Sequence, residues 1–284
     1  MSEYTIFHQQ EALTTRLANI LEEYPAGPSS LREFVQNADD AHASSLVLCL
    51  DAGCSEAAEM ALPCEELRAL NGPALLVWND AKFTEADFVS ISSIGRSRKR
   101  EDATTIGRYG LGFNVSYHFS DVVQLLSADS LVFFDPHGTS LPGKELGLRA
   151  KLADGFFARY PGVMEPLLQP LRALTEHMQS APINVTGAEG LDCTLFRLPL
   201  RTAAQASSSL LSSHAVEPLS VLELLRDVGR TLPELLLFTQ HLCRMCVRSS
   251  RTRTRQRPAA LSAVSLESRR CFSQSACVRC SRPQ

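Results

Sequence analysis

LREFVQNADDAHA, residues 31–43, is the stretch that decides how this chain is read. An α-helix advances about 100° per residue, which brings Glu33, Asn37 and Asp40 within about 60° of one another. Leu31, Phe34, Val35 and Ala38 fall on the opposite side. The pattern predicts a helix over 29–42 with one core face and one concentrated polar stripe, opened by Ser29 or Ser30 as N-cap. A solvated face on an amphipathic helix satisfies the same spacing. Asn37, Asp39 and Asp40 are poor mid-helix residues, however, because their side chains compete for nearby backbone groups. The stripe also has a chemistry. An Asn carbonyl oxygen is a hard, neutral ligand for Mg²⁺, and a carboxylate one turn earlier can orient or deprotonate a water that attacks a phosphate.

A second feature lies downstream, in IGRSRKREDATTIGRYGLGFNVSYHFSD, residues 94–121. Gly107, Gly110 and Gly112 precede an apolar segment at 110–119 that reads as a helix start. Glycines there let the backbone approach an anion closely, and a helix N-terminus offers free N–H groups to phosphate. No strand precedes the string as a Rossmann fingerprint requires, and no G-K-[ST] closes it as a Walker A loop would. Arg96, Arg98, Lys99 and Arg100 add positive charge that could face phosphates or simply form a solvated basic loop.

Together these segments resemble the GHKL ATPases. E-x-x-x-N-x-x-D-A at Glu33, Asn37 and Asp40 is similar to their N-box, in the form found in sacsin-type domains. Residues 94–121 resemble the glycine box and ATP lid of the same domains. The resemblance implies that Glu33 is the general base, Asn37 the magnesium ligand and Asp40 part of the nucleotide pocket. It implies that Gly107, Gly110, Leu111, Gly112 and Phe113 close over the phosphates. FFDPHG at 133–138 and CTLFRLPLR at 193–201 are also similar, with Thr194 matching a threonine that supports the adenine site.

The chain departs from the family at the adenine segment. Where most GHKL ATPases carry D-x-G-x-G, this chain has Asn79-Asp80-Ala81-Lys82. The expected equivalent of the adenine-binding Asp is Asn79, with Asp80 the alternative. An Asn accepts through its carbonyl oxygen but is neutral.

The surrounding pattern is that of a globular domain. The chain has 284 residues, 44% hydrophobic and 21% charged, with a formal net charge of -3. That balance gives no global drive toward nucleic acid or membrane. No signal-peptide pattern or membrane-length apolar run is evident, so a cytoplasmic location is expected. Cys49, Cys54, Cys64 and Cys193 read as reduced thiols. A helix is predicted over 11–24, strands over 45–50, 74–78, 121–135 (two) and 193–200, and a helix over 85–93 opened by Thr84 and Asp87. Residues 140–180 read as helical but broken by Pro142, Pro161, Pro166 and Pro170. A helix is predicted over 219–229, and 235–238 is an apolar segment of open type.

This mixture without regular βαβ alternation favours an α+β fold. The resemblance makes it the Bergerat α/β sandwich, a mixed sheet with helices on one face. Residues 1–246 form the predicted domain, and 247–284 an Arg/Ser-rich tail read as disordered. Cys243-x-x-Cys246 and Cys277-x-x-Cys280 are too far apart for the common four-cysteine zinc pattern.

Two functions follow from the resemblance. The leading one is binding of ATP and ADP with Mg²⁺, with slow hydrolysis, in a chaperone-like module that meets client proteins or co-chaperones. The second is a non-catalytic scaffold or co-chaperone with a degenerate nucleotide site, favoured by Asn79 and the missing glycines.

Overall fold

The computed structural model describes residues 11–51, 53, 56–92, 112–178, 190–249 and 264–267. The first helix, α1 (Leu13–Glu23), buries Leu17, Ile20 and Leu21. The next, α2 (Pro28–Asp40), begins two or three residues earlier than Ser29 or Ser30 as N-cap would allow. Its N-cap is Gly27, without a side-chain cap, and Ser30 is buried. Pro28 explains the shift: at the first helical position it lacks only an N–H that has no partner anyway, and its φ is already helical.

Strands β1 (Ser45–Asp51) and β2 (Ala74–Asn79) follow, and both are buried along their length. Thr84 and Asp87 form a reciprocal capping box at the start of α3 (Glu85–Ile91), as the spacing predicts. Gly112–His118 is a 3₁₀ helix, tighter than an α-helical start. The hairpin β3 (Val123–Ala128) and β4 (Ser130–Phe134) comes next, then β5 (Gly147–Lys151) and the short α4 (Phe156–Arg159).

The prolines at 166 and 170 do not break the chain into pieces. They lie inside a single helix, α5 (Pro161–Met178). Each removes a backbone donor, but Val163, Met164, Leu167, Leu171 and Leu174 are buried against the sheet and hold the helix together. After β6 (Leu191–Pro199) and the short α6 (Ala203–Ala206), α7 runs over Pro218–Phe238 and absorbs the apolar 235–238 segment. β7 (Arg244–Ser249) and β8 (Val264–Glu267) complete the described elements.

The strands form one sheet in the order β5-β4-β3-β6-β2-β1-β7-β8. Among the described strands only β1 and β7 pair in parallel, and the other pairs are antiparallel. This is the expected α/β sandwich with a mixed sheet. The period-two alternation of side chains divides the core. Leu46, Leu48 and Leu50 of β1 face a layer made by α1, α2 and α7. Val47 and Cys49 face α5 on the other side. The expectation of helices on one face therefore describes the α1–α2–α7 layer, and α5 adds a second cover. β8 also pairs antiparallel with β7, so Val264–Glu267 is a strand within a segment expected to be a tail. Among the described residues no helix is long and apolar enough to cross a membrane.

Candidate functional site

The polar stripe on α2 forms as its spacing predicts. Leu31, Phe34, Val35 and Ala38 are buried, while Glu33, Asn37 and Asp40 are only partly covered. Burial raises the Glu33 carboxyl above its ordinary range, and the nearby Asp40 charge pushes it the same way. A desolvated carboxylate beside a second acid is a stronger base than an exposed one.

Gly112 sits directly against this stripe. A Cβ on Gly112 would lie 2.8 Å from Glu33 Oε2 and 3.2 Å from both terminal atoms of Asn37. The backbone at the start of the 112–118 segment thus passes within side-chain distance of both residues, where only glycine leaves them undisturbed. Gly107, Gly110 and Leu111, and the basic Arg96, Arg98, Lys99 and Arg100, lie outside the described residues. Phe113 is packed in an aromatic group: its ring lies 5.2 Å from that of Phe134 and 5.9 Å from that of Phe196.

The adenine-segment residues occupy the end of the sheet on the α2 side. Asn79, Thr194 and Ser127 stand in register across β2, β6 and β3. All three are buried. Thr194 Oγ1 donates to the Ala81 carbonyl at 2.7 Å and lies 2.8 Å from Ser127 Oγ. Ser127 Oγ in turn accepts from the Phe83 N–H at 3.0 Å. Asn79 Oδ1 accepts from the Ala81 N–H at 3.0 Å. These bonds fix the turn at 80–83 over the sheet end. Ser127 was not legible as a site residue, since a lone serine in an apolar strand carries no local signal.

Asp80 points elsewhere. Its carboxylate accepts from the N–H groups of Ser44, at 2.8 Å, and Ser45, at 2.9 Å, and from the Ser44 hydroxyl. It ties the turn to the start of β1. Of the two candidates for the adenine-binding position, Asn79 is the one on the α2 face of the sheet.

Two further residues support the site without a motif to announce them. The buried Asp39 carboxylate accepts from the backbone N–H groups of Gln240, His241 and Leu242, and so joins the end of α2 to the α7–β7 connection. Arg201 is fully enclosed. It donates from Nε to Asp121 at 2.7 Å and from its terminal nitrogens to the carbonyls of Tyr117, His118 and His214. It therefore holds the far end of the segment that begins at Gly112. Asp135 of the FFDPHG stretch likewise accepts backbone N–H groups from residues 137–140 and shapes that turn.

An apolar cavity of about 530 Å³ lies between Leu13, α3 and β4, bounded by Phe113 and Tyr117. It takes no side chain from the α2 stripe and is not the polar site. Cys49 and Cys193 are buried and Cys64 is partly covered, and all three are outside any disulfide. Burial pushes the Cys193 thiol up to about 11, which keeps it from acting as a nucleophile. Cys54 lies outside the described residues. Cys246 is a free thiol buried on the α5 side of the sheet, and Cys277 and Cys280 are outside the described residues.

Comparison with known proteins adds two findings. A Sacsin domain family model matches residues 10–262. Human Sacsin is 29% identical over 275 residues, which cover 94% of this chain and 6% of Sacsin.

Proposed function

The chain belongs to the Sacsin domain family, and from that premise we propose that it is a GHKL-type module that binds ATP with Mg²⁺ and hydrolyses it slowly in a chaperone-like role. The single observation that carries the proposal is the seat of Gly112 on Glu33 and Asn37. It puts Gly112, the last glycine of the glycine-rich string, against the carboxylate–amide stripe.

The residues fit the proposed ligands chemically. Asn37 offers a partly covered amide oxygen for Mg²⁺, one helical turn from the Glu33 carboxylate. Magnesium bound there would neutralise charge on the phosphate oxygens. Glu33, held basic by burial and by Asp40, orients a water and takes its proton. The backbone at Gly112 approaches the phosphates without a Cβ in the way. Asn79, with Thr194 and Ser127 behind the 80–83 turn, meets the base.

A non-catalytic scaffold is the second reading, and one observation favours it. The Asn79 carbonyl oxygen already accepts from Ala81, and Asp80 is committed to Ser44 and Ser45. The two candidates for the adenine-binding position thus both have their acceptor oxygens engaged within the protein.

Calorimetric titration with ATP and ADP in Mg²⁺, followed by phosphate release from wild type and Glu33→Ala, separates the two. Saturable binding with hydrolysis abolished in the variant supports the ATPase. Binding with no phosphate release from wild type leaves a nucleotide-responsive scaffold. No binding up to millimolar nucleotide rejects the nucleotide site altogether.

A further inference from the structure

His42 and His241 meet at the surface although 199 residues separate them. His42 Nδ1 lies 2.8 Å from His241 Nε2, with the rings edge to face at 4.1 Å between centroids. Both side chains are exposed.

The backbone under His42 makes the pair unusual. α2 ends in a Schellman motif: the His42 N–H bonds to the Asp39 carbonyl and the Ala43 N–H to the Ala38 carbonyl. His42 is the left-handed residue of that motif, with φ 59°. Glycine is the default there because it has no Cβ to clash. A histidine in this position accepts backbone strain, and strain of this kind motivates a search for function. Its partner is equally well anchored, because the His241 N–H donates to Asp39 Oδ1 at 2.7 Å. One residue, Asp39, therefore fixes the backbone of both histidines.

We propose that His42 Nδ1 and His241 Nε2 form a two-histidine site for a borderline divalent cation of the zinc class. Imidazole nitrogen is the favoured neutral ligand for such ions. Zn–N bonds of about 2.0–2.1 Å in a tetrahedral site place two nitrogens roughly 3.4 Å apart. The rings need to part by about half an ångström to reach that, a small rotation for two exposed side chains. Among the described residues no group of three or more His, Cys, Asp and Glu side chains surrounds the pair, so the two imidazoles are the ligands this site is proposed to supply. The ion would clip the end of α2 to the α7–β7 connection. It is distinct from the magnesium proposed at Asn37 and does not depend on nucleotide.

The test is a Zn²⁺ titration of the whole chain at mildly alkaline pH, where ligating imidazoles are neutral. It compares wild type, His42→Gly and His241→Ala, with melting temperatures taken with Zn²⁺ and with chelator. His42→Gly keeps the fold, because glycine suits the left-handed position. The expected result is one binding event in wild type that weakens at least about tenfold in each variant, with a Zn²⁺-dependent rise in melting temperature in wild type only. Cobalt(II) bound at this site lacks the intense thiolate absorption that a cysteine site shows. Absence of zinc binding by wild type overturns the proposal. So does binding that persists unchanged in both variants, or cobalt binding that shows thiolate absorption only.

Discussion

Gly112 lies so close to Glu33 that the smallest possible side chain would reach its carboxylate, at 2.8 Å from Oε2. The atoms in the way are the ends of flexible side chains, Glu33 and Asn37, and not backbone. Gly112→Ala is therefore expected to cost the fold only about 1 kcal/mol, because the two side chains can swing aside. Under the proposed nucleotide-binding function that displacement lowers Mg²⁺-dependent ATP affinity at least about tenfold. Thermal melts and calorimetry on the same samples check both halves. A variant that binds nucleotide as wild type does would remove Gly112 from the site.

Glu33 makes a pH prediction. Its folded-state carboxyl is raised above the ordinary value of 4.5, first by burial and then by Asp40. The folded state thus holds the proton more tightly than the unfolded chain does. That contribution to stability is full below the unfolded value and is lost as pH rises through the raised folded value. Glu33→Gln, which cannot ionise, should melt higher than wild type at neutral pH, and the gap should close as pH falls below about 4.5. A gap that is constant with pH would mean that ionisation of Glu33 is not the cause.

Asp39 is expected to be structural and costly to lose. Its carboxylate takes the N–H groups of three consecutive residues, Gln240, His241 and Leu242. Asp39→Ala strands those donors and should destabilise the fold by about 3 kcal/mol in urea unfolding. Asp39→Asn keeps one acceptor oxygen and should lose less.

Arg201 offers a test of shape against charge. Its guanidinium reaches Asp121 and three carbonyls from one buried position. A lysine carries the same charge as a single point and cannot span that fan of acceptors. Arg201→Lys should therefore destabilise nearly as much as Arg201→Ala, by about 3–5 kcal/mol, measured by chemical unfolding. Full rescue by lysine would show that charge alone suffices.

The motif helix, the strands and the Thr84–Asp87 capping box were legible because each depends on residues within a turn or two of one another. Leu31, Phe34, Val35 and Ala38 are buried at the spacing that the helical period dictates. The N-terminus of α2 lies two or three residues before the point the serines indicate, because Pro28 at the first helical position outweighs them as a start signal. α5 was misread as fragments, since what keeps Pro166 and Pro170 inside one helix is its buried face and not its local propensity.

By itself the sequence determined the polar stripe of Glu33, Asn37 and Asp40, the mixed α and β elements, and the likeness to the Sacsin domain family. Tertiary structure alone decided how those residues are used. It seated Gly112 on Glu33 and Asn37, turned Asp80 away to Ser44 and Ser45, and set Ser127 beside Thr194. It gave Asp39 to an α7–β7 connection 201 residues away and brought His42 to His241. The physical reason is that periodicity encodes which face a side chain presents. A hydrogen bond needs a partner at about 3 Å, and that partner is chosen only when distant segments pack.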